Sequence, residues 1–286
     1  MSYGYASATS GALIWGMVPL YYRLLDEFPL FDVVAQRAFW SCIIFIFVFI
    51  IQKRLSEIRQ ALNSLKNISL FLVCSILIGT NWVLFIFALK YGQLMQSALG
   101  YYIFPLLTAA IGYYFLDERM DKLTKIAFLF ALAAVFLKGT MLSNFPWIAI
   151  SMASTFALYA VVRKKLAVKS DTGTVIETIM LTPIALIYFG WQTQNGAILF
   201  FGADLKGFML AVFCGLFTII PLYLFHNGNK ALPLAIAGLI FYLNPTSQLV
   251  ISIILGEPFN TIDIIAFILI WSGLLIQFSP TFFFKR

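Results

Sequence analysis

Only 11% of the 286 residues carry a charge, and His226 is the single histidine. Soluble domains use about 25% charged residues, so a chain this poor in charge cannot clothe itself in hydrated surface. One histidine leaves no multi-histidine metal centre. The cysteines, Cys42, Cys74 and Cys214, are odd in number, widely spaced and set in apolar runs, which argues against a disulfide framework or zinc site. No GxxxxGK[ST], HExxH or GxSxG motif occurs, so nothing calls for nucleotide driving, a hydrolytic centre or a cofactor. The longest gap between apolar runs, Gln52–Asn67, has 16 residues, too few for an extramembrane domain.

What the chain has instead is apolar length: 62% hydrophobic and 17% aromatic residues, with mean hydropathy +0.93. A bilayer-spanning helix needs about 20 mostly apolar residues. Apolar runs between charged or turn-rich breaks predict ten spans, at 6–22, 33–51, 68–89, 94–116, 124–141, 146–162, 174–192, 207–228, 234–256 and 262–280. The first run has no basic residue before it and no small-residue cleavage site after it, so it is expected to remain as a span. With the N-terminus inside, 14 of the 19 Lys and Arg residues fall in inner loops and 4 in outer loops, and Arg37 lies within a span. The positive-inside rule then places both termini in the cytoplasm. That distribution accounts for the net charge of +7 without a nucleic-acid partner.

Asn81–Leu107 aligns with Pro221–Ser247 at an offset of 140, matching Phe85 with Phe225, Lys90 with Lys230, Tyr102 with Tyr242 and Pro105 with Pro245. Further on the offset becomes 139 and pairs Glu118 with Glu257. The expected organisation is two five-helix halves, 1–143 and 144–286. Because five is odd, the second half starts on the opposite side of the membrane. Such inverted repeats are characteristic of secondary transporters with midplane sites. In "GYYIFP" and "IFYLNP", Pro105 and Pro245 lack an N–H, so the carbonyls of Tyr101 and Phe241 should lose their helical partners. The two prolines are therefore hinge candidates, with Tyr101, Tyr102, Tyr242 and Asn244 at the bends.

Charged residues within spans are expensive and point to function. Arg37 in "AQRAFWS" and Glu177 in "VIETIML" stand 140 apart, as repeat equivalents, each about a turn inside its predicted helix. They are expected in opposite vestibules: Arg37 near Asp26, Glu27 and Asp32, and Glu177 near Arg163, Lys164 and Lys165. Glu177 and His226 are the gating or proton candidates. Trp15, Trp40, Asn81 and Trp82 complete the candidate cavity, the tryptophans as stacking surfaces and Asn81 as an interhelical amide. Each of these residues has a structural alternative, such as headgroup snorkelling, a helix-to-helix hydrogen bond or aromatic packing. Glu118 and Glu257 are expected to be interfacial turn residues.

Taken together, "IWGMVPLYYRLL", "QRAFWS", "GTNWVLFIFAL", "SALGYYIFPLL", "DERM", "LYAVVRKKLAVKSDTGTVIETIMLTPIA", "YLNPT" and "GEPF" resemble the RarD-type branch of the EamA-like drug/metabolite transporter superfamily. The resemblance spans Gly11 to Trp271. It implies ten helices in two inverted halves, a bacterial inner-membrane location, and a cavity built from both halves, with the fifth and tenth helices peripheral. Trp15, Arg37, Trp40, Asn81, Trp82, Tyr101, Tyr242 and Glu177 fall on its motif positions. The usual pattern has "GYFINP" in the first half, with Asn where this chain has Phe104. In the second it has "QYIGPT", with Gln and Gly where this chain has Phe241 and Asn244, so the amide has changed halves.

The expectation is therefore an all-α polytopic membrane protein with ten transmembrane helices, and not an enzyme. It would carry a small organic metabolite or drug, amino-acid-like among the options, by alternating access. Arg37 would attract a carboxylate and Glu177 would handle an ammonium group or a proton. Its partners would be that solute, membrane lipids and candidate H+. A membrane-embedded lipid-processing enzyme or a channel-like subunit is the alternative.

Overall fold

The computed structural model describes residues 2–115, 122–141, 145–195, 204–231 and 240–283, which contain helices and no strands. In chain order the helices are α1 (Ser2–Arg23), α2 (Leu30–Ile51), α3 (Leu55–Ala61), α4 (Leu65–Lys90), α5 (Leu94–Phe115), α6 (Lys122–Met141), α7 (Trp147–Lys164), α8 (Ser170–Gln194), α9 (Leu205–Ala231), α10 (Leu243–Ile254) and α11 (Thr261–Phe283). Each predicted segment lies on a helix, with residue 116 of the fourth and residues 234–239 of the ninth outside the described residues. Among the described residues three helices, α2, α4 and α8, are long and apolar enough to cross a membrane.

Pro29 and Pro146 occupy the N-caps of α2 and α7, where the missing N–H costs nothing. At the far end of α2, Lys53 adopts a left-handed backbone with φ 55° and stops the helix. Sequence pattern did not predict α3. Its seven residues are too few to be stable alone, and they are held by the charges described below.

The helices pack in a regular set of pairs: α1 against α9 and α10, α2 against α8 and α9, α4 against α7 and α8, α5 against α7 and α10, and α6 against α11. Contact between α2 and α9 is backbone-close because of Gly215. A Cβ there would lie 2.7 Å from the Trp40 carbonyl carbon and 2.8 Å from the Ser41 nitrogen. Small residues allow such approach in helical membrane proteins, where van der Waals packing drives association. Large apolar side chains such as Phe47, Ile184, Ile187, Trp191 and Ile254 remain exposed around the bundle. In water such a surface would be an aggregation liability; hydrocarbon accommodates it.

The two prolines of the opening motifs sit differently. α5 runs through Pro105, whose side chain lies outside the described residues. Pro245 lies in the first turn of α10, two residues after its first residue Leu243, where backbone N–H groups are unpaired in any case. At this second site the expected loss of a mid-helix bond is therefore replaced by a helix restart at Tyr242. Proline stands within helices at Pro19, Pro183 and Pro221.

Candidate functional site

Arg37 and Glu177 each lie seven residues past the first residue of their helices, Leu30 and Ser170. At 1.5 Å per residue that is about 10 Å, deeper than the predicted boundaries imply, because both helices begin earlier. Both are buried, at 3% and 2% exposure.

Their surroundings differ. Glu177 is paired: the Arg163 Nε lies 3.0 Å from its Oε1, and the Tyr159 hydroxyl donates to its Oε2 at 3.0 Å. Arg163 also donates to the Ser170 carbonyl at 3.1 Å. Glycine at 173 leaves room for this arginine, since a Cβ at that position would overlap its guanidinium. Arg37 has no ion pair among the described residues. Its guanidinium lies over Trp82, 4.4 Å from the ring centroid, and 5.9 Å from that of Tyr22. Such stacking contributes about 0.5–2 kcal/mol, well short of the cost of an unpaired buried ion. Of the acids expected nearby, Asp26 pairs with Arg23 instead at 2.9 Å. Asp32 is buried with Oδ1 unbonded.

Around Arg37 sit polar groups that sequence pattern did not single out. The Tyr22 hydroxyl, Gln36 Nε2, Arg37 Nε and Ser41 Oγ are buried with no hydrogen-bond partner. Gln36 uses its oxygen to accept from Trp40 Nε1 at 3.1 Å. "AQRAFWS" displayed Gln36 and Ser41 beside Arg37, but an amide or hydroxyl in a span can bond locally, so only packing shows these without partners.

Asn81 Nδ2 donates to the Met152 carbonyl at 3.0 Å and to Thr155 Oγ1 at 3.2 Å, while its oxygen accepts from Tyr101 at 3.4 Å. It ties α4 to α5 and α7. Asn81→Leu is expected to cost about 1–3 kcal/mol by stranding buried partners; thermal unfolding of the purified chain checks this.

Tyr102 and Tyr242 stack with centroids 6.0 Å apart and an interplanar angle of 14°. Tyr102 also bonds Thr246 Oγ1 at 2.6 Å. Asn244 Oδ1 accepts from Gln248 Nε2 at 2.9 Å, and Gln248 Oε1 accepts from Ser97 at 3.0 Å. The two aromatic departures from the usual motif, Phe104 and Phe241, meet at 6.3 Å, and Trp15 packs edge-on against Phe241 at 6.2 Å. Aromatic contact thus occupies the place where the family motif supplies amides. The His226 side chain and all of Glu118 lie outside the described residues.

Both ends of the bundle carry polar ties. At one, Arg54 bonds Asp171 at 2.7 Å and Glu57 at 2.9 Å. Glu57 also accepts from Lys169 at 2.8 Å and from the Thr172 hydroxyl at 2.7 Å. These bonds hold α3 to the start of α8 and keep the Glu57 carboxyl far below the usual carboxylate range. At the other end, Glu257 accepts from the backbone N–H groups of Leu94 and Met95 at 2.6 and 2.8 Å, capping α5 from a distant loop. Burial nonetheless pushes its carboxyl up.

A helical bundle with an apolar exterior and buried, interconnected polar groups defines a multi-pass membrane protein. The profile of the EamA-like transporter family matches residues 2–140 and again 146–279, and the chain belongs to that family. It is 36% identical over 270 residues to the "Uncharacterized transporter YojE" of Bacillus subtilis (strain 168), covering 92% of this chain and 89% of that protein. It is 30% identical over 284 residues to "Protein RarD" of Salmonella typhimurium, covering 99% and 97%. "Protein RarD" of Escherichia coli (strain K12) matches at 29% over 285 residues, covering 99% and 96%. A solved crystal structure shares the fold at TM-score 0.63 with 17% identity over 96% of each chain. The protein is a membrane transporter of RarD type.

Proposed function

We propose that the chain moves a small organic molecule across the bacterial inner membrane by alternating access between two inverted five-helix halves, 1–143 and 144–286, with both termini cytoplasmic. The observation that carries this is the pairing pattern. Exchanging α1 with α7, α2 with α8, α4 with α9, α5 with α10 and α6 with α11 turns every one of the pairs above into itself or into another pair of the same set. The double match of the family profile supports the same division. Ten spans follow when every helix but α3 belongs to a crossing segment.

In this scheme the Arg54–Asp171 and Lys169–Glu57 ties close the cytoplasmic end, and Glu257 on α5 closes the outer end. Both tie one half to the other, so opening either end means breaking bonds between halves while the opposite set holds. Glu177, held by Arg163 and Tyr159, is the candidate for a coupling proton. Trp15, Trp40, Trp82, Asn81, Tyr101, Tyr102, Tyr242 and Asn244 line the path, and Pro105 and Pro245 mark where it flexes.

Flux into proteoliposomes tests this, with labelled amino acids and small amphipathic metabolites, with and without an imposed pH gradient, beside Glu177→Gln. Saturable accumulation that follows the gradient and vanishes in the variant is expected. Saturable exchange indifferent to pH would remove the proton role. Unsaturable flux would favour a channel, and lipid turnover without vectorial movement would favour an enzyme.

A further inference from the structure

Arg37 is 3% exposed, carries its charge into the bundle interior, and has no carboxylate within ion-pair distance among the described residues. Tyr22, Gln36 and Ser41, at 2%, 0% and 0% exposure, each bring a buried polar atom without a hydrogen-bond partner to the same region. Buried polar atoms are satisfied in the great majority of cases, and a buried cation is paired or coordinated. Three such atoms beside a guanidinium whose own Nε is also unbonded therefore describe a site missing its anion. The fork of a guanidinium matches a carboxylate in two parallel bonds. One positive charge with no ion pair among the described residues suits a monoanion.

The acids that could serve an ammonium group are engaged or turned away. Glu177 is neutralised by Arg163. Asp32 lies five residues before Arg37, about 140° round the helix at 100° per residue. Trp82 is shared between two environments. Arg37 stacks on it, and it also lines a lateral groove of about 310 Å³ with Ala35, Ala38, Gly79, Val83 and Leu181. That volume is in the range of small-molecule sites.

We propose that Arg37, with Tyr22, Gln36 and Ser41, binds the head of an organic monocarboxylate whose apolar body lies against Trp82 in the groove between α2, α4 and α8. This rests on the transporter assignment and narrows its substrate to amphipathic anions. The site atoms are sealed from solvent in this conformation, so the head reaches them when the helices part.

The test uses the full-length protein in nanodiscs, with 3-phenylpropionate as probe and its primary amide, phenylalanine and inorganic phosphate as comparisons. Unfolding temperature and tryptophan quenching are read for wild type, Arg37→Gln, Arg37→Lys and Val83→Trp. Saturable stabilisation by the carboxylate and not the amide is expected. Loss of the bidentate contact should weaken binding at least about tenfold in Arg37→Gln. Arg37→Lys should fall between the two. Without ligand, Arg37→Gln should unfold at or above the wild-type temperature, because a charge without a counter-ion has been removed. Val83→Trp should weaken phenylpropionate and spare acetate. Equal stabilisation by the amide, preference for phenylalanine or phosphate, or unchanged binding in Arg37→Gln would overturn the proposal. Saturable counterflow of neutral or cationic solutes, untouched by carboxylates, would overturn it and leave the transporter standing. Absence of saturable flux for every solute would remove the transport assignment itself.

Discussion

Arg163→Leu is expected to destabilise the protein by about 3–5 kcal/mol, because it strands Glu177, 2% exposed, as a buried carboxylate without its cation. The double variant Arg163→Leu/Glu177→Leu should recover most of that loss, since a buried pair replaced by apolar side chains of similar volume is close to neutral. Chemical unfolding in detergent, run as a double-mutant cycle, reads the coupling directly. A cycle showing independent effects would mean that the 3.0 Å pair contributes nothing to the fold. Gly173→Ala should mimic part of the Arg163 loss without touching either charge, because its Cβ claims the space of the guanidinium. The arginine is flexible enough to move aside, so the fold should survive while Glu177 loses its cation.

Gly215→Val is the second large effect. The atoms a side chain at 215 would meet are backbone atoms of Trp40 and Ser41, at 2.7 and 2.8 Å, and backbone cannot rotate out of the way. Alanine should cost about 1–3 kcal/mol as overpacking, and valine more, with α2 and α9 forced apart and flux lost. Gly190→Ala is the matched control, since nothing lies within 4 Å of a Cβ there; it should leave unfolding and flux unchanged. If Gly215→Val transports normally, the close approach of α2 and α9 does not matter to the working protein.

The helices were legible because charged and turn-rich breaks punctuate long apolar runs, and a membrane offers such runs no alternative fold. α3 escaped because its stability is tertiary. "LSEIRQA" has no apolar stripe long enough to read, and its Arg54 and Glu57 are held by Asp171 and Lys169, 117 and 112 residues away in sequence. Arg37 and Glu177 were visible as charges in hydrocarbon-length segments. The cation of Glu177 was legible as well, since Arg163 at the end of α7 is one of the three basic residues expected near it; the state of Arg37 was not, because Asp26 pairs with Arg23 and Asp32 makes no ion pair with it among the described residues. Glu257 read as a turn residue. Its role as a remote cap on α5 depends on how segments more than 160 residues apart in sequence come together.

Tyr102 and Tyr242 correspond to each other under the 140-residue repeat, and they are also in contact, stacked at 6.0 Å. Cys42 and Thr182, again 140 apart, are neighbours too. Under a twofold rotation only points on the axis map to themselves, so a residue that touches its own counterpart marks that axis. Two such points on different helix pairs trace its line through the bundle. In the proposed exchange of conformations between the halves, every off-axis contact is handed to a different pair of residues, while these two contacts map onto themselves. In the proposed scheme the tyrosine stack is thus the fulcrum of the exchange. Under that proposal the difference in energy between the end states comes from pairs whose counterparts differ, foremost Arg163–Glu177, whose repeat equivalents are Arg23 and Arg37.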